Sequence, residues 1–305
     1  MNKKITITGA TGLIGRQLSS TLVNRGHEVT IFSRNVESAK KNLGSQFNFV
    51  KWDYQKPEEW QDSLKEQDAL IHLAGTNLFG KRWTDRYKKE ILESRYISTK
   101  NLVTAFGNTE NKIKVFISSS AVGYYGSRGS EFLTEESTLG DDFLAHVCDI
   151  WEKEAAKASE LGIRTAILRQ GIVISGDGGA LTKFLTPFNF LLGGPLGSGK
   201  QYFPWIHLDD LVSIYLFILD KNNISGAVNS VSTQNVRMKE FAETLGKVLK
   251  RPSIIKVPEF VLRILVGEAA SSILSSQRVI PQKLLDYNFK FKFENLEDAL
   301  RDLLK

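Results

Sequence analysis

The chain opens with an apolar run, Ile5-Thr6-Ile7-Thr8, that leads without a break into Gly9-Ala-Thr-Gly12-Leu-Ile-Gly15. No other stretch constrains the fold as tightly. A short strand, glycines spaced G-x-x-G-x-x-G, and a helical pattern at Leu18, Leu22 and Val23 together describe a dinucleotide-binding turn. Gly9 permits the tight strand-to-helix turn, and Gly12 lets the backbone approach a pyrophosphate. Gly15 is expected to let the helix pack closely on a sheet. The free amides at the helix start, with the positive end of its dipole, face the phosphates in such turns. On this reading Gly9, Thr11, Gly12, Leu13, Ile14 and Gly15 are cofactor-binding positions. A merely flexible loop leaves the strand before it unexplained.

The helix closes at Asn24-Arg25-Gly26, and His27–Phe32 reads as a second strand. In dinucleotide folds a ribose-reading residue follows the glycine loop by about twenty positions. An acid there accepts the ribose 2′-hydroxyl of NAD. Here the position carries Ser33-Arg34. Arg34 can form charge-assisted hydrogen bonds to a 2′-phosphate, worth roughly 1.5–3 kcal/mol, or about ten- to a hundred-fold in affinity. The expected cofactor is therefore NADP(H).

Beyond this point strands and helices alternate. Phe47–Val50, Asp68–Gly75, Val115–Ser118, Arg164–Leu168 and Ala227–Val231 read as strands. Helical patterns cover Asp85–Phe106, Phe143–Leu161 and a stretch through Leu219 capped by Asp209 or Asp210. Such alternation predicts an α/β fold, a Rossmann-type doubly wound and mostly parallel sheet. Residues 1–232 form the expected NADP-binding domain, with 171–205 as an inserted substrate-side segment. Residues 233–305, broken by Pro252, Pro258 and Pro281, form a smaller, mainly helical cap. Ligand contacts gather at the carboxyl ends of the strands, which singles out Leu73, Ala74 and Gly75, and Ser118 to Ser120.

Composition excludes several classes. A single cysteine among 305 residues, Cys148, rules out a disulfide framework and suits a reducing cytoplasm. Met1-Asn-Lys-Lys runs directly into a strand the fold needs, so no signal peptide is expected. No apolar run is long enough to span a bilayer, Phe260–Val266 being far too short, and no membrane partner is expected. The 40 basic and 34 acidic residues give a net charge of +6 without a basic block, poor grounds for nucleic-acid binding. With four scattered histidines and one cysteine, no metal site is expected.

Gly9–Gly15, the His72-Leu-Ala-Gly75 stretch and Ile117-Ser-Ser-Ser-Ala-Val-Gly-Tyr-Tyr-Gly126 resemble the extended short-chain dehydrogenase/reductases. More narrowly, the chain is similar to the atypical "epimerase family proteins" with a C-terminal domain of unknown function. That resemblance rests on Arg82-Trp83-Thr84, Glu90, Ser94-Arg95, Cys148-x-x-Trp151-Glu152, Leu168–Val173, Gly193–His207 and Gln277–Pro281, so it covers essentially the whole chain. It implies NADPH binding, with Ser33-Arg34, Leu73-Ala74, Glu90, Arg95 and Val173 at cofactor-facing positions.

The catalytic pattern departs from that superfamily. Its ordinary members pair a serine with a downstream Tyr-x-x-x-Lys, whose lysine lowers a phenol pKa from about 10 towards neutrality for proton exchange. Ser120 matches the serine, but Cys148 and Glu152 stand where tyrosine and lysine belong. A carboxylate disfavours a nearby thiolate, so the pair reverses the usual electrostatics. Tyr96-x-x-x-Lys100 lies upstream of Ser120 and reads as helix surface. Tyr124 and Tyr125 are candidate substitute proton donors, although packing is the commoner role of such aromatics.

Gly194–Lys200 imitates a phosphate-binding P-loop, but Gln201 replaces the magnesium-ligating Ser or Thr. Lys200 and Gln201 instead read as lining a substrate cleft, and His207 as a less favoured ligand contact. Three readings follow. The first is an NADP(H)-dependent oxidoreductase or epimerase acting on a small carbonyl or hydroxyl compound. The second is a non-catalytic NADPH-binding sensor, and the third an interaction module without ligand. The intact glycine turn and Arg34 argue against the third. The long helices flanking the fifth strand are compatible with a homodimer.

Overall fold

The computed structural model describes residues 2–305. The first part alternates as β1 (Lys4–Thr8), α1 (Leu13–Asn24), β2 (Glu28–Ser33), α2 (Val36–Leu43), β3 (Asn48–Lys51), β4 (Ala69–His72), α3 (Asp85–Asn108) and β5 (Val115–Ala121). The short β6 (Phe132–Leu133) precedes α4 (Phe143–Ala156), β7 (Arg164–Gln170), β8 (Ile172–Ser175), β9 (Gly178–Gly179) and α5 (Ala180–Asn189). Next come β10 (Tyr202–Phe203), β11 (Trp205–His207), α6 (Leu208–Asp220), β12 (Gly226–Ser230) and β13 (Val236–Arg237). The chain ends with α7 (Met238–Leu249), α8 (Glu259–Val266), α9 (Ala270–Leu274), β14 (Arg278–Val279), α10 (Gln282–Asp286) and α11 (Leu296–Leu303).

Seven strands make the central sheet in the order β12-β7-β5-β4-β1-β2-β3, and every neighbouring pair is parallel. The expected doubly wound architecture is what the chain adopts. Both faces are covered by helices, so the strands are nearly continuous apolar runs: β4 is buried at all four residues. From β3 the chain crosses to β4 on the other side of β1. The carboxyl ends of β1 and β4 therefore flank the topological switch point, where such sheets bind ligands.

Two strands outrun their expected ends. β5 continues to Ala121 and β7 to Gln170. Their last residues, including Ser119, Ser120 and Arg169, are polar yet buried. Ser119 accepts from Gln170 across the sheet, while Ser120 and Arg169 both bond Glu152 of α4, so apolar alternation does not reveal them. The glycine-rich 171–205 stretch hides a helix, α5, whose inner side buries Leu181 and Phe188. These residues share one apolar cluster with Phe203, Trp205, Phe241, Leu296 and Leu300, which ties the segment to the C-terminal helices.

The cap of α6 also differs from expectation. His207, not Asp209 or Asp210, occupies the cap, with its Nδ1 accepting the Asp209 amide at 3.0 Å. Asp210 instead accepts the amides of Lys292 and Phe293, fastening the last segment to α6.

Candidate functional site

The glycine turn is built as its sequence implies, with one difference in mechanism. Gly9 has φ +71°, and a Cβ there would lie 2.8 Å from the Leu73 carbonyl carbon. The turn after β1 and the chain after β4 thus touch, and only glycine fits between them. A Cβ on Gly15 would come within 2.5 Å of Ala10 Cα and the Gly9 oxygen. Gly15 therefore packs on the turn itself, not on the sheet as expected. Gly12 is different: a Cβ there would meet only the Gly9 oxygen, at 3.3 Å. Its outer side is open, it caps α1 without any side-chain bond, and no acid stands in the first turn of that helix. Thr11 beside it is exposed, while Leu13 and Ile14 are partly buried against the core. Free amides beside an open glycine face suit a pyrophosphate.

A buried chain of hydrogen bonds holds this cradle. Thr8 Oγ1 accepts the amides of Leu73 and Ala74 at 3.2 and 3.3 Å, and lies 2.7 Å from His72 Nδ1. With Thr8 donating to Nδ1, the neutral imidazole donates from Nε2 to Ser98 Oγ at 3.1 Å. Burial, then the charge of Arg95, hold the His72 pKa down to about 3. The sequence reading placed Leu73 and Ala74 at the cleft but missed the histidine that fixes them.

Ser33 ends β2, and its Oγ accepts the amide of Asn35, the cap of α2. Arg34 projects between them, exposed and in no ion pair among the described residues. On α3, Arg95 Nη1 donates to the carbonyls of Thr76 and Ile91, at 3.1 and 3.0 Å, and its guanidinium lies over the Trp151 ring. A Cβ on Gly75 would meet that guanidinium at 3.1 Å. Glu90 is half-exposed and pairs loosely with Lys81 and Arg86. Val173 sits on β8 next to the β9 turn, whose Gly179 approaches Leu13. Ser118 is not brought to the cleft. It lies inside β5, fully buried, and its hydroxyl donates to the Ser119 carbonyl.

At the carboxyl end of β5 the structure assembles a group that the spacing of residues conceals. Register places Ser120 beside Arg169 of β7. Glu152 reaches them from α4. Ser120 Oγ donates to Glu152 Oε1 at 2.5 Å, and Arg169 forks onto the same carboxylate, Nη2 to Oε2 at 2.8 Å and Nε to Oε1 at 3.0 Å. All three side chains are buried. Arg169 also stacks on Tyr124, 3.4 Å from its ring centre, and donates to the Tyr125 hydroxyl. Tyr125 in turn donates to Asn229 Oδ1 at 2.6 Å, and burial raises its pKa to about 12. It is a packed, hydrogen-bonded residue and a poor proton donor. Arg169 is the member of this buried group that sequence reasoning missed. A glutamate on the inner face of α4 was the available signal, because a buried carboxylate needs a cation.

Cys148, one turn before Glu152, is buried with its thiol 3.7 Å from the Ala121 carbonyl. Burial, and next the Glu152 charge, push its pKa up to about 12. Tyr96 and Lys100 lie together on α3, Lys100 exposed. Lys200 stands on an open cavity of about 340 Å³ with Tyr202 and Arg237. Gln201 lines the same cavity, where its amide accepts from Ser198 and donates to the Leu196 carbonyl, which shapes the loop. No helix follows this P-loop lookalike at once; β10 does.

His207, Asp209 and Asp302 approach one another closely enough to suggest a cation site. The chemistry is unsuitable. Nδ1 accepts a backbone amide, which leaves the imidazole hydrogen on Nε2, and Asp209 is engaged by Gln17 and Lys292.

Comparison with known proteins agrees with this geometry. Residues 5–230 match the model of the NAD dependent epimerase/dehydratase family, and residues 257–303 match a domain of unknown function, DUF1731. The chain is 37% identical to a chloroplastic epimerase family protein SDR39U1 homolog of Arabidopsis thaliana, over 99% of this chain and 86% of that protein. It is also 37% identical to the epimerase family protein YfhF of Bacillus subtilis, over 98% and 97% of the two chains. Human epimerase family protein SDR39U1, solved with NADPH, superposes with a TM-score of 0.87 at 33% identity, covering 98% of both chains. A UDP-glucose 4-epimerase of Thermotoga maritima shares the fold, with a TM-score of 0.80 at 18% identity and 98% and 97% coverage.

Proposed function

The chain belongs to the NAD dependent epimerase/dehydratase family, and from that membership we propose that it binds NADP(H) and exchanges hydride with a small hydroxyl or carbonyl compound. One observation carries the reading: the open Gly12 face and uncapped start of α1 lie at the switch point, with Arg34 free at the end of the neighbouring strand. Arg34 favours a 2′-phosphate, and the NADPH bound by human SDR39U1 supports the same choice. Ser33, Leu73, Ala74, Gly75, Glu90, Arg95 and Val173 complete the cofactor site in this proposal. The nicotinamide, when bound, supplies or accepts the hydride.

Proton handling falls to Ser120 and Glu152. In the oxidising direction Ser120 Oγ accepts the proton of a ligand hydroxyl as its own hydrogen passes to Glu152 Oε1. Arg169 keeps that carboxylate in place. The thiol of Cys148 takes no part, since burial and the Glu152 charge hold it protonated. A reducing interior such as the cytoplasm suits the lone buried thiol.

A second reading, a non-catalytic NADPH sensor, is favoured by the same hydrogen bond: Ser120 has already given its only hydrogen to Glu152. Nucleotide titration followed by absorbance at 340 nm with a carbonyl panel separates the two. Tight NADPH binding with oxidation supports the reductase, and tight binding with persistent silence supports the sensor. Failure to bind NADPH overturns both.

A further inference from the structure

Adjoining segments of the C-terminal half leave large apolar side chains in water. Phe190, Leu191 and Leu192 follow α5, and Phe190 is 72% exposed. The Ile255 amide donates to the Gly193 carbonyl and the Val257 amide to that of Pro195, so the strap bearing Ile254, 83% exposed, runs alongside. Two residues beyond Val257, α8 begins. It turns Leu262 inward and leaves Phe260 and Ile264 about two-thirds exposed, at 65% and 66%.

These side chains protrude as knobs. Leu191 holds φ +60°, a conformation glycine adopts far more readily, yet a bulky leucine is displayed there. Single exposed apolar residues need no explanation, but a contiguous group of this size does.

The charge carried by these segments is mainly positive, and Glu268, the acid that follows them, is paired with Lys88 at 3.0 Å. Residues 178–208 and 250–267 contain six cations, Lys183, Lys200, Lys250, Arg251, Lys256 and Arg263, and one acid, Glu259. That acid is neutralised by Arg263 at 2.7 Å. Lys250, Arg251 and Lys256 have no acidic partner among the described residues. A second copy of the chain is a poor occupant, because a two-fold axis through the patch sets these cations against themselves. An anionic surface that admits apolar knobs is complementary in both respects.

We propose that this basic, apolar prominence rests on the surface of an anionic membrane. The attachment is peripheral, since among the described residues no helix is long and apolar enough to cross a bilayer. Side chains of Phe190, Ile254, Phe260 and Ile264 enter the headgroup boundary, and the lysines and arginines face lipid phosphates. The sequence reading, which looked only for spanning segments, expected no membrane partner.

Cosedimentation of the full chain with vesicles of phosphatidylcholine, alone or mixed with phosphatidylglycerol, tests the proposal. The protein should sediment with the anionic vesicles and stay in solution with the neutral ones. Ile254→Ser with Phe260→Ser, and separately Lys250→Glu with Lys256→Glu, should each weaken that association roughly tenfold or more. Unchanged melting temperature and NADPH affinity show that the variants remain folded. No sedimentation with anionic vesicles overturns the proposal, as does binding that the serine variant leaves intact. Self-association that the serine variant abolishes, without vesicle binding, assigns the patch to a second copy instead.

Discussion

Ser120, near the end of β5, donates its hydroxyl hydrogen to Glu152 of α4 across 2.5 Å. The carboxylate is in turn forked by Arg169. Both charges are buried, so breaking the pair costs far more than its net contribution to stability. Glu152→Gln should lower unfolding free energy by about 3–5 kcal/mol, because Arg169 is left buried and uncompensated. Replacing both partners with methionine should recover most of that loss. Urea denaturation of the single and double variants measures it, and an additive double variant would show that the pair is not coupled.

Cys148 should be inert in the folded protein. With its pKa pushed up to about 12, its thiolate fraction at neutral pH is roughly a thousandfold below that of an ordinary cysteine. A thiol reagent such as iodoacetamide should label it only on unfolding. Rapid labelling of the native chain would contradict the buried placement.

Acid should destabilise the protein through His72. Its folded pKa lies near 3, below the ordinary value of 6.5, so the unfolded chain binds the extra proton first. The neutral-imidazole contribution is fully present above about pH 6.5 and is lost as pH falls towards the folded value, by about 1.4 kcal/mol per unit. His72→Asn should be less stable at neutral pH and show a flatter decline. Denaturation series at neutral and mildly acidic pH compare the slopes.

Two glycines of the same turn should fail differently. Gly15→Ala places a methyl 2.5 Å from backbone atoms of the turn, so melting temperature should fall sharply. Gly12→Ala meets one oxygen at 3.3 Å and otherwise fills the open face. It should fold but lose most of its NADPH affinity. Calorimetric melting and nucleotide titration on both variants distinguish the outcomes.

Arg34→Asp should weaken NADPH binding about ten- to a hundred-fold by removing charge-assisted bonds worth roughly 1.5–3 kcal/mol. NADH affinity should hold or rise. Equal losses for the two nucleotides would remove Arg34 from any role in reading the 2′-phosphate.

The sequence by itself determined the strand–glycine–helix opening, the parallel α/β alternation and the family, because these depend on local patterns: apolar period, glycine spacing and contiguous motifs. Local pattern also located Ser120. What it could not reveal was the company Ser120 keeps. Arg169 lies 49 positions downstream and becomes its neighbour only through the β5–β7 register, while Glu152 arrives from α4. The same limit explains His72, read as one more strand residue although its imidazole joins Thr8 to Ser98. It also explains His207, which displaced two better-known capping residues by position alone. Buried polar groups are stabilised by partners distant in the chain. Which partner each one finds is decided by tertiary packing, not by the run of residues around it.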